Sequence, residues 1–149
     1  MEIRKAEVKD LHNVVKLKME MFKEVGSIAL LQDNAEEQIY EAYLKLYQEE
    51  KLCHYLMYEE ERVIACGGAA IKEDVPFCFF KTPVYGYMMD VYCIPEKRRN
   101  GYASKVIEEL IKWLQSKCVH TIRLKPSAAG KRLYEKFGFC DSGEMELWL

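Results

Sequence analysis

The run Met88-Met-Asp-Val-Tyr-Cys-Ile-Pro-Glu-Lys-Arg-Arg-Asn-Gly-Tyr-Ala103 changes character twice. Met88 to Ile94 is apolar and rich in strand formers, and Pro95, which has no N–H to give a ladder, closes it. After Gly101, apolar residues recur at Ala103, Val106, Ile107, Leu110, Ile111 and Leu114, which is helical spacing. Between the two lies a turn carrying Lys97, Arg98 and Arg99, then Asn100 and Gly101. A helix N-terminus presents free backbone N–H groups and a partial positive charge. Cations and a glycine placed there make a seat for a phosphate or pyrophosphate, built from Arg98, Arg99, Asn100, Gly101, Tyr102, Ala103 and Ser104. Gly101 brings no Cβ between the backbone and an anion.

Composition sets the wider frame. A chain of 149 residues, 50% hydrophobic and 31% charged, suits one folded domain spanning residues 1–149. The formal net charge of −2 lacks the basic excess of a nucleic-acid binder, and no apolar run approaches the ~18 residues of a membrane span. Met1 to Lys5 leads straight into a patterned element, which reads as no signal peptide. Cysteines at 53, 66, 78, 93, 118 and 140 form no Cys-x-x-Cys pair, and Cys53, Cys66, Cys93 and Cys118 fall in or beside apolar segments. They read as buried free thiols in a reducing cytoplasm. His12, His54 and His120 are scattered and none stands at ligand spacing from a cysteine, so no metal is expected. Gly-x-Gly-x-x-Gly, His-Glu-x-x-His and a Walker loop are all missing.

Outward from the central run, Glu2 to Ala6 reads as a first strand. Residues 8 to 24 follow as a helix with Leu11, Val14, Val15, Met21 and Phe22 on its apolar face. Asn34-Ala-Glu-Glu37 has the form of a capping box for a second helix running to about Lys51. Leu52 to Tyr58 and Val63 to Ile71 read as a hairpin, with Gly67 and Gly68 marking a bulge or a close neighbour. Val75 to Pro83 is expected to be a loop packed by Phe77, Phe79 and Phe80. Beyond the central helix come a strand at Thr121 to Leu124, a short helix from Ala128 to Phe137 capped by Ser127 and stopped by Gly138, and a final strand at Glu144 to Leu149. The order is β α α β β β α β α β, a mixed α/β (α+β) sheet with helices on both faces.

The run Pro95 to Ala103 is followed about thirty residues on by Gly130-Lys-Arg-Leu-Tyr-Glu-Lys-Phe-Gly-Phe139. Together the two motifs resemble the GNAT superfamily of acyl-CoA-dependent N-acetyltransferases. The first matches that family's Arg/Gln-x-x-Gly-x-Gly/Ala signature, with Ala103 for the second glycine; the second matches its Leu-Tyr-Glu-Lys-x-Gly-Phe signature. The resemblance covers residues 85 to 140 and implies the GNAT fold, with a sheet splayed at its centre. It implies acetyl-CoA as co-substrate, its pyrophosphate at the basic turn and its pantetheine arm along Val91, Tyr92, Cys93 and Ile94. Tyr134 matches the tyrosine near the thioester sulfur, where a phenol of pKa ~10 supplies a proton to the leaving thiolate. Ser127 stands where many relatives have an Asn that contacts the cofactor.

Transfer to an amine also needs something to take the amine's proton. Asp90, a carboxylate in an apolar strand beside the expected cleft, is the candidate base or amine ligand. The alternative to an enzyme is a domain of the same fold that holds acyl-CoA as a sensor and transfers nothing; Tyr134 favours the enzyme. The implied acceptor loops, near residues 22 to 36 and 73 to 84, carry Asp33, Glu36, Glu37, Glu73 and Asp74 beside aromatics, which suits a cationic amine. An exposed final strand would offer a pairing edge, the feature that points toward a homodimer.

Overall fold

Leu11, Val14 and Val15 are fully buried because their spacing puts them on one side of a helix that can cover a sheet. The computed structural model, which describes residues 1–75 and 83–149, shows how. Its elements are β1 (Glu2–Lys5), α1 (Leu11–Glu24), α2 (Ala35–Gln48), β2 (Leu52–Glu59), β3 (Arg62–Glu73), β4 (Val84–Cys93), α3 (Tyr102–Ser116), β5 (Ile122–Arg123) and α4 (Lys131–Glu135). The aromatic stretch Phe77, Phe79 and Phe80, with Cys78, lies outside the described residues.

The strands form one five-stranded sheet in the order β1-β2-β3-β4-β5. The first four pair antiparallel; β5 joins β4 in parallel. α3 packs on one face, its Val106, Ile107, Leu110 and Leu114 all at 0% exposure. Burying side chains of that size is worth about 1.5–3 kcal/mol each. Gly67 lets the helix approach: a Cβ there would lie 2.6 Å from Val106 Cγ1. Its neighbour Gly68 faces the opposite way, beneath His54, on the side covered by α1 and α2. β1 is pinned to the start of α1 by Arg4, whose two terminal nitrogens each donate to Asp10 at 2.8 Å.

Two irregularities in β4 shape the middle of the sheet. Cys66 pairs with Tyr92 and Gly68 with Met89, so Gly67 opposes both Asp90 and Val91. This bulge puts Asp90 at φ +58°, in the left-handed region. On its other edge β4 pairs with β5 only at Gly86↔Ile122 and Tyr87↔Arg123. From Met88 to Cys93 the described residues supply no strand on that side. This is the splay that the resemblance implied.

The structure corrects several local expectations. Glu144 to Leu149 forms no strand. β5 is only two residues long and Pro126 follows it closely, so β5 itself offers too short an edge to seat a further strand. The tail is held by side chains instead, Lys125 to Glu146 at 2.7 Å and Arg123 to Glu144 at 3.6 Å, leaving Met145 98% exposed. Asn34 precedes α2 but its side chain makes no capping bond. Cys118 is exposed rather than buried: α3 ends in a left-handed turn at Cys118, φ +59°, and Val119 takes the buried place. Cys53 and Cys66 are buried, as expected, whereas Cys93 is only half-buried and Cys140 is exposed.

Candidate active site

The strand-turn-helix run folds as its pattern requires. Pro95–Lys97 make one 3-10 turn, and Arg99 and Gly101 both take left-handed backbone, φ +65° and +78°. The Asn100 side-chain amide donates to the carbonyls of Lys97 and Arg98, each at 3.0 Å, and fixes the turn. α3 begins immediately after, and no side chain caps its N-terminus. Its first N–H groups are therefore open to an anion from outside. A Cβ built on Gly101 meets nothing within 4 Å, so the space before the helix is clear. The donor set suits a phosphate ester: backbone N–H groups at Tyr102, Ala103 and Ser104, with the exposed Arg99 beside them.

Arg98, expected in the phosphate seat, is already engaged by other groups. Its guanidinium donates to the Cys93 carbonyl at 2.9 Å and grips Glu24, at the end of α1, with both terminal nitrogens at 2.6 Å. Tyr92 donates to the same carboxylate at 3.1 Å. The hydrogen bond from Arg98 holds the Glu24 carboxyl below its ordinary range. Arg98 thus ties the end of β4 to α1 and stands beside the turn with a carboxylate already attached.

Asp90 lies on the α1–α2 side of the sheet, 5% exposed, and three elements reach it. Lys18 of α1 donates to Oδ1 at 2.5 Å. Tyr43 of α2 and His54 of β2 share Oδ2, at 2.5 and 3.0 Å. The second ring nitrogen of His54 lies 2.9 Å from the Tyr47 hydroxyl. Burial alone would raise the Asp90 pKa; the His54 hydrogen bond and the Lys18 charge outweigh it and hold the carboxyl well below the usual carboxylate range. An ionised carboxylate only accepts, so His54 Nε2 carries the hydrogen shared with Asp90. Among the described residues no buried side-chain nitrogen or oxygen lacks a partner.

Tyr134 sits in α4, half-buried, its ring edge-on to Phe139 at 5.8 Å between centroids. Burial pushes its phenol up to about 12. The helix expected over Ala128 to Phe137 is shorter, Lys131–Glu135, and its N-cap position is Gly130 with no side-chain cap; Ser127 instead accepts the Gly130 N–H at 3.1 Å in the turn before it. A Cβ on Gly130 would stand 3.1 Å from Ser127 Oγ and 3.5 Å from Tyr134 Cε2, so the hydroxyl and the ring flank that glycine. Gly138, at φ +87°, ends the segment, with the Phe139 N–H returning to the Tyr134 carbonyl at 3.2 Å.

With this arrangement in view, the model of the acetyltransferase (GNAT) family matches residues 12–139. The chain belongs to that family. The chain matches none of the curated proteins. Among solved structures, a predicted acetyltransferase from Clostridium acetobutylicum, crystallised with acetyl-CoA, is similar at TM-score 0.90 and 24% identity, covering 99% of this chain and 95% of that one. An aminoglycoside antibiotic 6'-N-acetyltransferase from Acinetobacter haemolyticus is similar at TM-score 0.76 and 18% identity, over 100% and 97%. A glucosamine-6-phosphate N-acetyltransferase from Arabidopsis thaliana is similar at TM-score 0.74 and 20% identity, over 99% and 97%. At such identities the likeness is one of fold.

Within this GNAT domain, Val91 to Ala103 form one continuous strand-turn-helix, and Ser127 and Tyr134 are brought together one segment later. The partners of Asp90 and of Arg98 were not read from the sequence. Lys18 gave a usable signal, since it interrupts the apolar stripe of Leu11, Val14, Val15 and Phe22 with a charge. His54 stands between Leu52 and Leu56 on the same strand face, which marks it as buried. Among the described residues no His, Cys, Asp and Glu group could hold a metal ion, and no helix is long and apolar enough to cross a membrane.

Proposed function

We propose that this GNAT protein transfers the acetyl group of acetyl-CoA directly to a primary amine. One observation carries the reading: β4 leaves β5 after Tyr87, and the open edge of β4 leads straight to the uncapped N-terminus of α3. An extended thioester arm can lie along Val91, Tyr92, Cys93 and Ile94 as an added strand, with its pyrophosphate on the amides behind Gly101. The likeness to a structure holding acetyl-CoA supports this cofactor.

In the reaction the neutral amine attacks the acetyl carbonyl carbon, forming the C–N bond and a tetrahedral intermediate. Its collapse breaks the C–S bond. Tyr134 gives its proton to the sulfur as negative charge builds there, and the proton lost by the amine passes through water to solvent. Burial keeps the Tyr134 phenol neutral at physiological pH, so the proton is present when needed. Asp90, expected as a base or amine ligand, has neither role in this reading, because donors from three side chains already occupy its carboxylate. Holding amine and thioester together supplies much of the rate. The exposed Asp33, Glu36 and Glu37 favour a cationic acceptor, whereas Asp74 is drawn toward Arg123 at 3.6 Å.

Calorimetric titration with acetyl-CoA, followed by thiol release across a panel of primary amines, tests the reading. The wild type binds at micromolar concentration and Gly101→Glu weakens binding at least tenfold. Tyr134→Phe keeps the affinity and lowers kcat by roughly 10²–10⁴. A folded wild type that binds no acetyl-CoA overturns the cofactor; an unchanged kcat in Tyr134→Phe overturns the acid.

A further inference from the structure

Among the described non-glycine residues with positive φ, Glu50, Glu60, Arg99 and Cys118 all lie at turns or element ends. Asp90 alone has this conformation inside a strand, and it is buried there. A left-handed non-glycine residue in a strand persists only where its surroundings over-determine it. Here they do: the carboxylate is gripped from α1, α2 and β2, and the backbone carbonyl of the same residue accepts the Cys66 thiol at 3.2 Å. Cohesion alone does not call for such a network, since well-packed apolar residues commonly hold a core as well as a buried ion pair or better. The network also sits at one defined place, the bulge where Gly67 faces both Asp90 and Val91 and where β4 runs on without β5.

We propose that Lys18, Tyr43 and His54 are positioning residues: through the Asp90 side chain they hold the left-handed bulge that shapes the open edge of β4 for the acetyl-CoA thioester. Tyr47 completes the set, its hydroxyl 2.9 Å from the second ring nitrogen of His54. The inference rests on the acetyl-CoA reading of the preceding section. It separates what Asp90 does with its charge from what it does with its backbone. A base needs the carboxylate; a bulge needs only a residue content with positive φ, which glycine and asparagine provide.

The test uses the full chain and acetyl-CoA affinity by calorimetry, with amide exchange over residues 85 to 94 as a second readout. Asp90→Ala weakens acetyl-CoA binding at least tenfold and speeds exchange. Asp90→Gly and Asp90→Asn stay within threefold of wild type. A Tyr43→Phe, His54→Gln double variant keeps side chains of near-native size, and its folding is checked by circular dichroism before binding is read. It also loses at least tenfold, and adding Asp90→Gly to it restores binding to within threefold. That rescue is the result a merely structural network would not give. The inference is overturned if Asp90→Ala binds as the wild type does, if the double variant does, or if glycine fails to rescue it. A wild type that binds no acetyl-CoA overturns this inference together with the reading beneath it, whereas a wild type that binds beside unaffected variants overturns this one alone.

Discussion

Gly68→Ala offers a sharp check on how the α1–α2 face is built. Gly68 pairs directly with His54 across the β2–β3 ladder, and the imidazole lies over it. A Cβ at Gly68 would stand 2.5 Å from His54 Cδ2 and press on Nε2 as well. The ring has no inexpensive escape. Nε2 is bonded to Asp90 at 3.0 Å and Nδ1 to Tyr47 at 2.9 Å, so any rotation breaks one or both. Overpacking a close-packed site costs about 1–3 kcal/mol. The bond to an ionised partner adds roughly 1.5–3 kcal/mol and the neutral one about 0.5–1.5 kcal/mol if they are lost. Partial relaxation brings the expected destabilisation to about 3–5 kcal/mol. For a domain of this size each kcal/mol moves Tm by about 2–4 °C, so Tm should fall by roughly 6–20 °C. Differential scanning calorimetry of both proteins measures it. Gly67→Ala is the comparison: it meets only apolar side chains, Val106 Cγ1 at 2.6 Å first, and should lose about 1–3 kcal/mol. A Gly68→Ala protein melting within about 2 °C of wild type would falsify the claim that His54 is locked from both sides.

Two further predictions follow from the charges. The hydrogen bond from Arg4 lowers Asp10 from 3.8 to about 2, so the pair contributes stability that is complete above pH 3.8 and is lost as pH falls toward 2. The urea midpoint should drop across that interval, and Asp10→Asn should remove this part of the drop; an unchanged acid profile in the variant refutes the assignment. Glu24 holds Arg98 beside the turn proposed to seat the pyrophosphate, so Glu24→Gln should free a cation and remove an anion. Acetyl-CoA affinity should rise by about two- to fivefold at low salt and less at high salt, in keeping with an exposed pair worth up to ~1 kcal/mol. Weaker binding in that variant would mean that the pair acts as a clasp for β4 instead.

The central run was legible because everything that shapes it is local. Pro95 stops a strand by lacking a donor, Gly101 permits a left-handed turn, and the spacing of Val106, Ile107, Leu110 and Leu114 makes a helix face wherever a sheet lies beneath. The stop at Gly138 was readable for the same reason. The final strand was not, because alternation from Glu144 to Leu149 is local but pairing is not: a strand needs an edge, and β5 offers two residues.

The amino-acid sequence by itself determined the order of elements through α4, the strand-turn-helix around Gly101 and the family of the chain. Only the tertiary structure decided what surrounds its charges. Asp90 stands 72 residues from Lys18, 47 from Tyr43 and 36 from His54, and Arg98 stands 74 from Glu24. No periodicity links such positions. They meet because the apolar faces of α1 and α2 must cover the sheet, and the polar groups carried inward with those faces must then satisfy one another out of reach of water.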